Sequence, residues 1–168
     1  MTIEATEIER RLANLGITLP AAPAPAANYL PWTITGNQLW IAGQAPIRDG
    51  KYDYLGRVGK EVTPQDAHAA ARLCGVNVLA QVKAACNGDW SRFVKGVRVC
   101  GYISAAPDFF EFPKVLDGCS DLFFEVLGDA GKHVRSVLGA SGLRFNSPIV
   151  VDAVFEIRAS PKGTSSGA

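Results

Sequence analysis

The chain has 168 residues, 48% of them hydrophobic and 20% charged, which is enough apolar material for one domain with a sizeable core. A formal net charge of +1 and the lack of any block of five like charges exclude the electrostatic footprint of a nucleic-acid binder. No stretch nears the ~20 apolar residues of a membrane span, and no basic segment precedes an apolar run at the N-terminus, so a cytoplasmic protein is expected.

The first predicted element is a helix. Thr6 and Glu9 stand at capping-box spacing, Ile8, Leu12 and Leu15 at helical spacing, and Gly16 supplies a stop. Leu19 to Pro25, with three prolines, reads as an extended connector, so residues 1–28 precede a single domain over 29–158. Gly36-Asn37 suits the two-residue turn of a hairpin between Tyr29–Thr35 and Gln38–Gly43. Asp49-Gly50 marks a further turn before a glycine-spaced segment that runs to Val62. A long helix begins at Thr63, which can cap, with Pro64 at the first helical position and Asp66 at the positive end of the dipole. Ala67, Ala71, Cys74, Val78, Val82 and Ala85 line one face, and Arg72 is the sole charge between Ala67 and Val82, so cover on more than one side is expected. Asn87-Gly88 ends it.

From Arg92 to Ser104 the alternation of Val97, Val99 and Ile103 with Arg98, Cys100 and Tyr102 predicts a strand, regular from Val97. Pro107 and Pro113 interrupt the chain. A shorter helix is expected from Ser120, closed by Gly128 and Gly131, then strands over 132–138 and 149–157. The tail from residue 159, rich in Ser and Gly, has nothing to bury and is expected to be disordered. This order predicts an α+β fold with two main helices on one face of a sheet. Its other face keeps apolar residues with no element left to cover them, so association through the sheet is expected.

Cys74, Cys86, Cys100 and Cys119 form no C-x-x-C pair, and His68 and His133 lie outside zinc-site spacing. The four cysteines read as reduced, buried thiols, and no metal site is expected from their spacing.

The segments Leu39 to Gln44, Asn77-Val78-Leu79, Asp117-Gly118 through Glu125, His133 to Ser136 and Val151 to Val154 resemble, in order and spacing, the landmarks of the RidA/YjgF family. The resemblance covers roughly residues 29–157. The N-terminal helix and the extra segment between Tyr52 and Glu61 are similar to a longer-chain branch named for endoribonuclease L-PSP. The resemblance implies a chorismate-mutase-like fold, a mixed sheet backed by two helices, with three copies forming a homotrimer and ligand clefts between subunits. The implied activity is hydrolysis of reactive enamines and imines to a 2-oxo acid and ammonia, without metal or cofactor.

By that resemblance Arg135 grips a carboxylate, as a catalytic and ligand-binding residue. A planar guanidinium gives two parallel hydrogen bonds and keeps its charge. Gly43 would let backbone approach the ligand, Tyr29 would cover it, and Asp117 occupies an asparagine position near it. Asp152, His133 and Arg144 are further candidates, His133 as a proton carrier on the same strand face as Arg135. The chain departs from the deaminating pattern at Ala42 for a serine, at Arg144 for a proline and at Val150 for a glutamate. Imine hydrolysis needs a titratable partner, so a non-catalytic protein that binds or senses a small metabolite is the alternative. A two-residue slip would bring Asp152 to the place of Val150. A ribonuclease would want a basic stripe with stacking aromatics, which the chain lacks. A chorismate mutase would want more cations than Arg135 and Arg144.

Overall fold

The computed structural model describes residues 3–25 and 27–158. The tail expected to be disordered lies outside them. Helix α1 spans Ala5–Asn14 and buries Ile8 and Leu12. Thr6 is not its cap: the helix begins one residue before it, Glu4 holds the N-cap position, and no side chain caps the end. Glu9 is drawn elsewhere, accepting from Lys83 Nζ at 2.8 Å and from the Trp90 indole at 2.9 Å. Leu15 lies past the last turn and is exposed. Gly16, with φ of +66°, makes the left-handed exit.

The predicted hairpin is present as β1 (Trp32–Thr35) and β2 (Gln38–Gln44), closed at Thr35 opposite Gln38. Tyr29 lies in a bend outside it. Asp49-Gly50 turns a second, short pair, β3 (Ile47–Arg48) with β4 (Lys51–Tyr52). Helix α2 spans Pro64–Ala85, with the Thr63 hydroxyl accepting from the Asp66 N–H at 3.0 Å. Thirteen of its residues are buried, which no single stripe accounts for; it is enclosed on several sides.

Strand β5 (Phe93–Ser104) carries two irregularities before its register settles at Arg98. The next helix, α3, starts at Phe112 and runs to Leu127, eight residues ahead of the expected start at Ser120. Pro113 sits in the first turn, where a helix needs no N–H from it, so the proline opens the helix rather than delaying it. Asp117 therefore lies on a helix and not in a loop. Strands β6 (Val134–Ala140) and β7 (Ile149–Ile157) complete a five-stranded sheet in the order β1-β2-β7-β5-β6. Among the strands of the described residues only β5 and β6 pair in parallel, and α3 is the crossover that a parallel pair requires.

Helices α2 and α3 cover one face of this sheet. Leu39, Ile41, Val99, Ile103, Val151, Ala153 and Phe155 are buried there. The two helices meet backbone to backbone: a Cβ on Gly118 would stand 2.1 Å from the His68 carbonyl oxygen. The opposite face bears Trp40, Val134 and Leu138, each at least 47% exposed, so the expected uncovered apolar face is present on the single chain. All four cysteines are free and buried. Burial pushes the Cys74 and Cys119 thiols well up, away from nucleophilic use.

Candidate functional site

Arg135 lies on β6, the outer strand of the sheet, beside Val99 of β5 and on the face covered by α3. Its guanidinium pairs with Asp117 at 2.7 Å and donates to the Ser120 hydroxyl at 3.2 Å. Both partners stand on α3, one turn apart, so the helix that had to start at Phe112 is what orients the arginine. Two residues before it, His133 donates from Nδ1 to the Gly131 carbonyl at 2.7 Å. Since a carbonyl can only accept, this assigns the proton to Nδ1 and leaves Nε2 to accept from Ser120 Oγ at 3.1 Å. The ring is held edge-on by Phe123. Sequence reasoning brought Arg135, His133 and Asp117 forward but missed Ser120, which bridges them.

Burial, reinforced by the nearby Arg135 charge, lowers the His133 pKa from 6.5 in spite of the Gly131 bond. The imidazole is thus neutral in the folded protein near pH 7. Above pH 6.5 neither state binds this proton; as pH falls below it, the unfolded chain protonates first and stability is lost. Thermal melts from pH 7.5 to 5 should show wild type losing stability more steeply than His133→Gln. Equal slopes would exclude His133 as the source. Asp89 and Asp129, both held below 3.8, titrate beneath this window.

Gly43, Tyr29 and Arg144 lie together elsewhere, around a cavity of about 190 Å³ that Val150, Asn77 and Pro23–Pro25 also line. Gly43 stands where the β2–β7 register slips between Ile41 and Gln44. A Cβ there would come within 2.7 Å of the Val150 side chain, so the backbone approach needs glycine. The Gln44 amide donates to the Ala42 carbonyl at 2.9 Å, and Asn77 donates to both Ala45 and Ile47 carbonyls at 2.9 Å, which fixes this wall. In the order β2-β7-β5-β6, three strand spacings separate the Gly43 strand from that of Arg135, roughly 14 Å. One chain does not bring the expected anchor and the expected cleft together.

Asp152 stands apart from Arg135 and lines a second cavity at Gly43, on the uncovered face, with Ala42, Arg98 and Tyr102. It accepts from the Tyr102 hydroxyl at 2.8 Å and lies 3.6 Å from Arg98, in the middle of the uncovered face. Hydrogen bonding to Cys100, then to Asp152, pushes the Tyr102 phenol up and keeps its proton on. Val150, rather than Asp152, abuts Gly43.

A mixed sheet with two main helices on one face, an arginine on its outer strand and a glycine irregularity on the opposite side define a chorismate-mutase-like α+β protein. The chain belongs to the YjgF family: the model described as "YjgF/chorismate mutase-like, putative endoribonuclease" matches residues 9–157. Protein TCP17 of Trypanosoma cruzi is 36% identical over 156 residues, spanning 92% of this chain and 97% of that protein. The crystal structure of Atu1372 from Agrobacterium tumefaciens is 44% identical, with a TM-score of 0.86 over 92% of this chain and 94% of that one. E. coli TdcF with bound serine, at 19% identity and a TM-score of 0.59 over 83% and 94% of the two chains, shares the fold. No helix among the described residues is long and apolar enough to cross a membrane.

Proposed function

We propose that the chain binds a small carboxylate of the 2-imino or 2-oxo acid kind in clefts completed between the copies of a cytoplasmic homotrimer. Arg135 of one copy grips the carboxylate beside Gly43 and Tyr29 of the next. The observation that carries this reading is the division of the site: anchor and cleft occupy separated strands of one sheet. A ligand bridging them needs a second copy, and the apolar uncovered face offers the surface through which copies can associate. Serine, the molecule bound in E. coli TdcF, carries the same carboxylate, which supports the ligand class. The reading calls for no metal, cofactor or nucleic acid. Titration calorimetry with 2-oxobutyrate and 2-oxoglutarate, alongside sedimentation, tests it; a monomer, or a trimer that binds neither acid, would overturn it.

Asp117 tempers the anchor. Its carboxylate pairs with Arg135 and competes with an incoming anion, while Ser120 and the strand hold the guanidinium plane. Asp117→Asn should keep an acceptor near Arg135 and remove the competing charge, so carboxylate affinity should rise roughly three- to tenfold. An unchanged or weakened affinity would mean that Asp117 orients more than it competes.

A second reading, imine hydrolysis to a 2-oxo acid and ammonia, is favoured by the neutral His133 beside Arg135. Water would add to the imine carbon, its first proton passing through Ser120 to Nε2 and on to the imine nitrogen; the second would leave the new hydroxyl for the same nitrogen as the C–N bond breaks, so that ammonia departs, the carbonyl forms and His133 returns to neutral. Against it stands Val150 at Gly43, where a glutamate could have held that water. Imine generated by an amino-acid oxidase and followed by its decay decides between them: no acceleration over buffer leaves a binding protein.

A further inference from the structure

We infer that the ligand carries two anionic groups and that Arg144 holds the second, so that dianionic 2-oxo or 2-imino acids are its substrate class. The inference rests on the reading above, in which Arg135 of a neighbouring copy takes the first carboxylate.

Arg144 is the one charged residue among the described residues that line the cavity beside Gly43 and Val150. Of the other polar walls, the Asn77 and Gln44 amides donate to backbone carbonyls, and Tyr29 and Tyr52 carry neutral hydroxyls. The guanidinium is therefore the one charged donor group in the cavity wall. Arg135, by contrast, is met by Asp117. Among the described residues no carboxylate pairs with Arg144; its partner is the Phe145 ring, 4.5 Å from the guanidinium carbon. A stack on an aromatic face fixes the plane of the group and leaves its edge N–H donors for an anion.

The backbone is bent to make that stack. Phe145 and Asn146 are both left-handed, with φ of +53° and +58°, a conformation that a bulky aromatic residue rarely adopts. The surroundings hold it there. The Gly56 N–H donates to the Asn146 carbonyl at 2.8 Å, Arg57 Nη2 donates to the Ser141 carbonyl at 3.1 Å, and Tyr52 packs edge-on against Phe145 at 5.4 Å. Strain of this kind persists where something else profits from it, and what it positions here is a cation in a cavity wall with no carboxylate partner among the described residues. The cavity, about 190 Å³, lies below the ~300 Å³ at which sites for larger ligands begin. A short diacid fits that measure.

The test uses the full-length protein and two probes, 2-oxobutyrate with one carboxylate and 2-oxoglutarate with two. Wild type should bind the diacid at least about tenfold more tightly, the worth of one further charge-assisted hydrogen bond. In Arg144→Gln the ratio should fall to about one, and Arg144→Lys should restore part of it. Equal affinities in wild type, or a ratio that survives in Arg144→Gln, would overturn the inference alone. Failure of both acids to bind wild type would overturn the underlying reading and the inference with it. The wild-type comparison needs no variant, so a misfolded mutant cannot leave the question open.

Discussion

Replacing Arg135 by alanine is expected to abolish measurable binding of small carboxylates while the assembly stays intact. The guanidinium is half-covered by α3 and its orientation is set before any ligand arrives, by Asp117 at 2.7 Å and Ser120 at 3.2 Å. A preorganised pair of charge-assisted bonds accounts for roughly 100- to 1000-fold in affinity. The strand would lose little, since Arg135 faces α3 at its exposed end and contributes nothing to the core cluster. Arg135→Lys should fall in between, keeping charge but not the fork. Calorimetric titration with sedimentation as a control checks this. Unchanged binding in Arg135→Ala would remove the anchor from the account.

The second large effect is on folding. Gly118→Ala should destabilise the protein by roughly 3 kcal/mol or more, a drop in Tm of roughly 6–12 °C. A Cβ at this position meets the His68 carbonyl oxygen at 2.1 Å and its carbon at 3.0 Å. Those atoms are backbone of α2, so relief requires the two helices to part along their whole contact, not a side chain to swing away. Since α3 also carries Asp117 and Ser120, a shift of the helix should weaken carboxylate binding in step. A Gly118→Ala protein with wild-type melting would mean the helices cross less closely than described.

How far the sequence carried this account depended on whether a feature was local. The hairpin at Gly36-Asn37, the capped start of α2 at Thr63 and its enclosure on several sides rest on neighbours in sequence, and each was legible. The early part of α3 was not, because Pro107 and Pro113 look alike as interruptions. Only the second falls in a first turn, where proline is tolerated. The capping pattern at Thr6 and Glu9 misled for a related reason: the Glu9 carboxylate had better donors in Lys83 and Trp90, far along the chain.

The site shows the same divide. Arg135, Gly43 and Tyr29 stood out through a family resemblance, yet nothing in their spacing told that three strand spacings would part them. Ser120 carried no signal at all, since its link to His133 depends on how α3 leans over β6. The Tyr102–Asp152 pair required the β5–β7 register, with Tyr102 opposite Val150 and Cys100 opposite Asp152. That register follows from irregularities at Phe93 and Gly96 that alternation alone conceals.

The division of the site between copies is tested most directly by mixing two defective chains. Arg135→Ala lacks the anchor, and Gly43→Val fills the cleft against Val150, so each alone should fail to bind 2-oxobutyrate. Refolded together in equal amounts, the two should regain about a quarter of the wild-type sites, those in which an intact Arg135 meets an intact Gly43 across a subunit boundary. Mixed assemblies, verified by sedimentation, that recover no binding would contradict the account and place the ligand within a single chain.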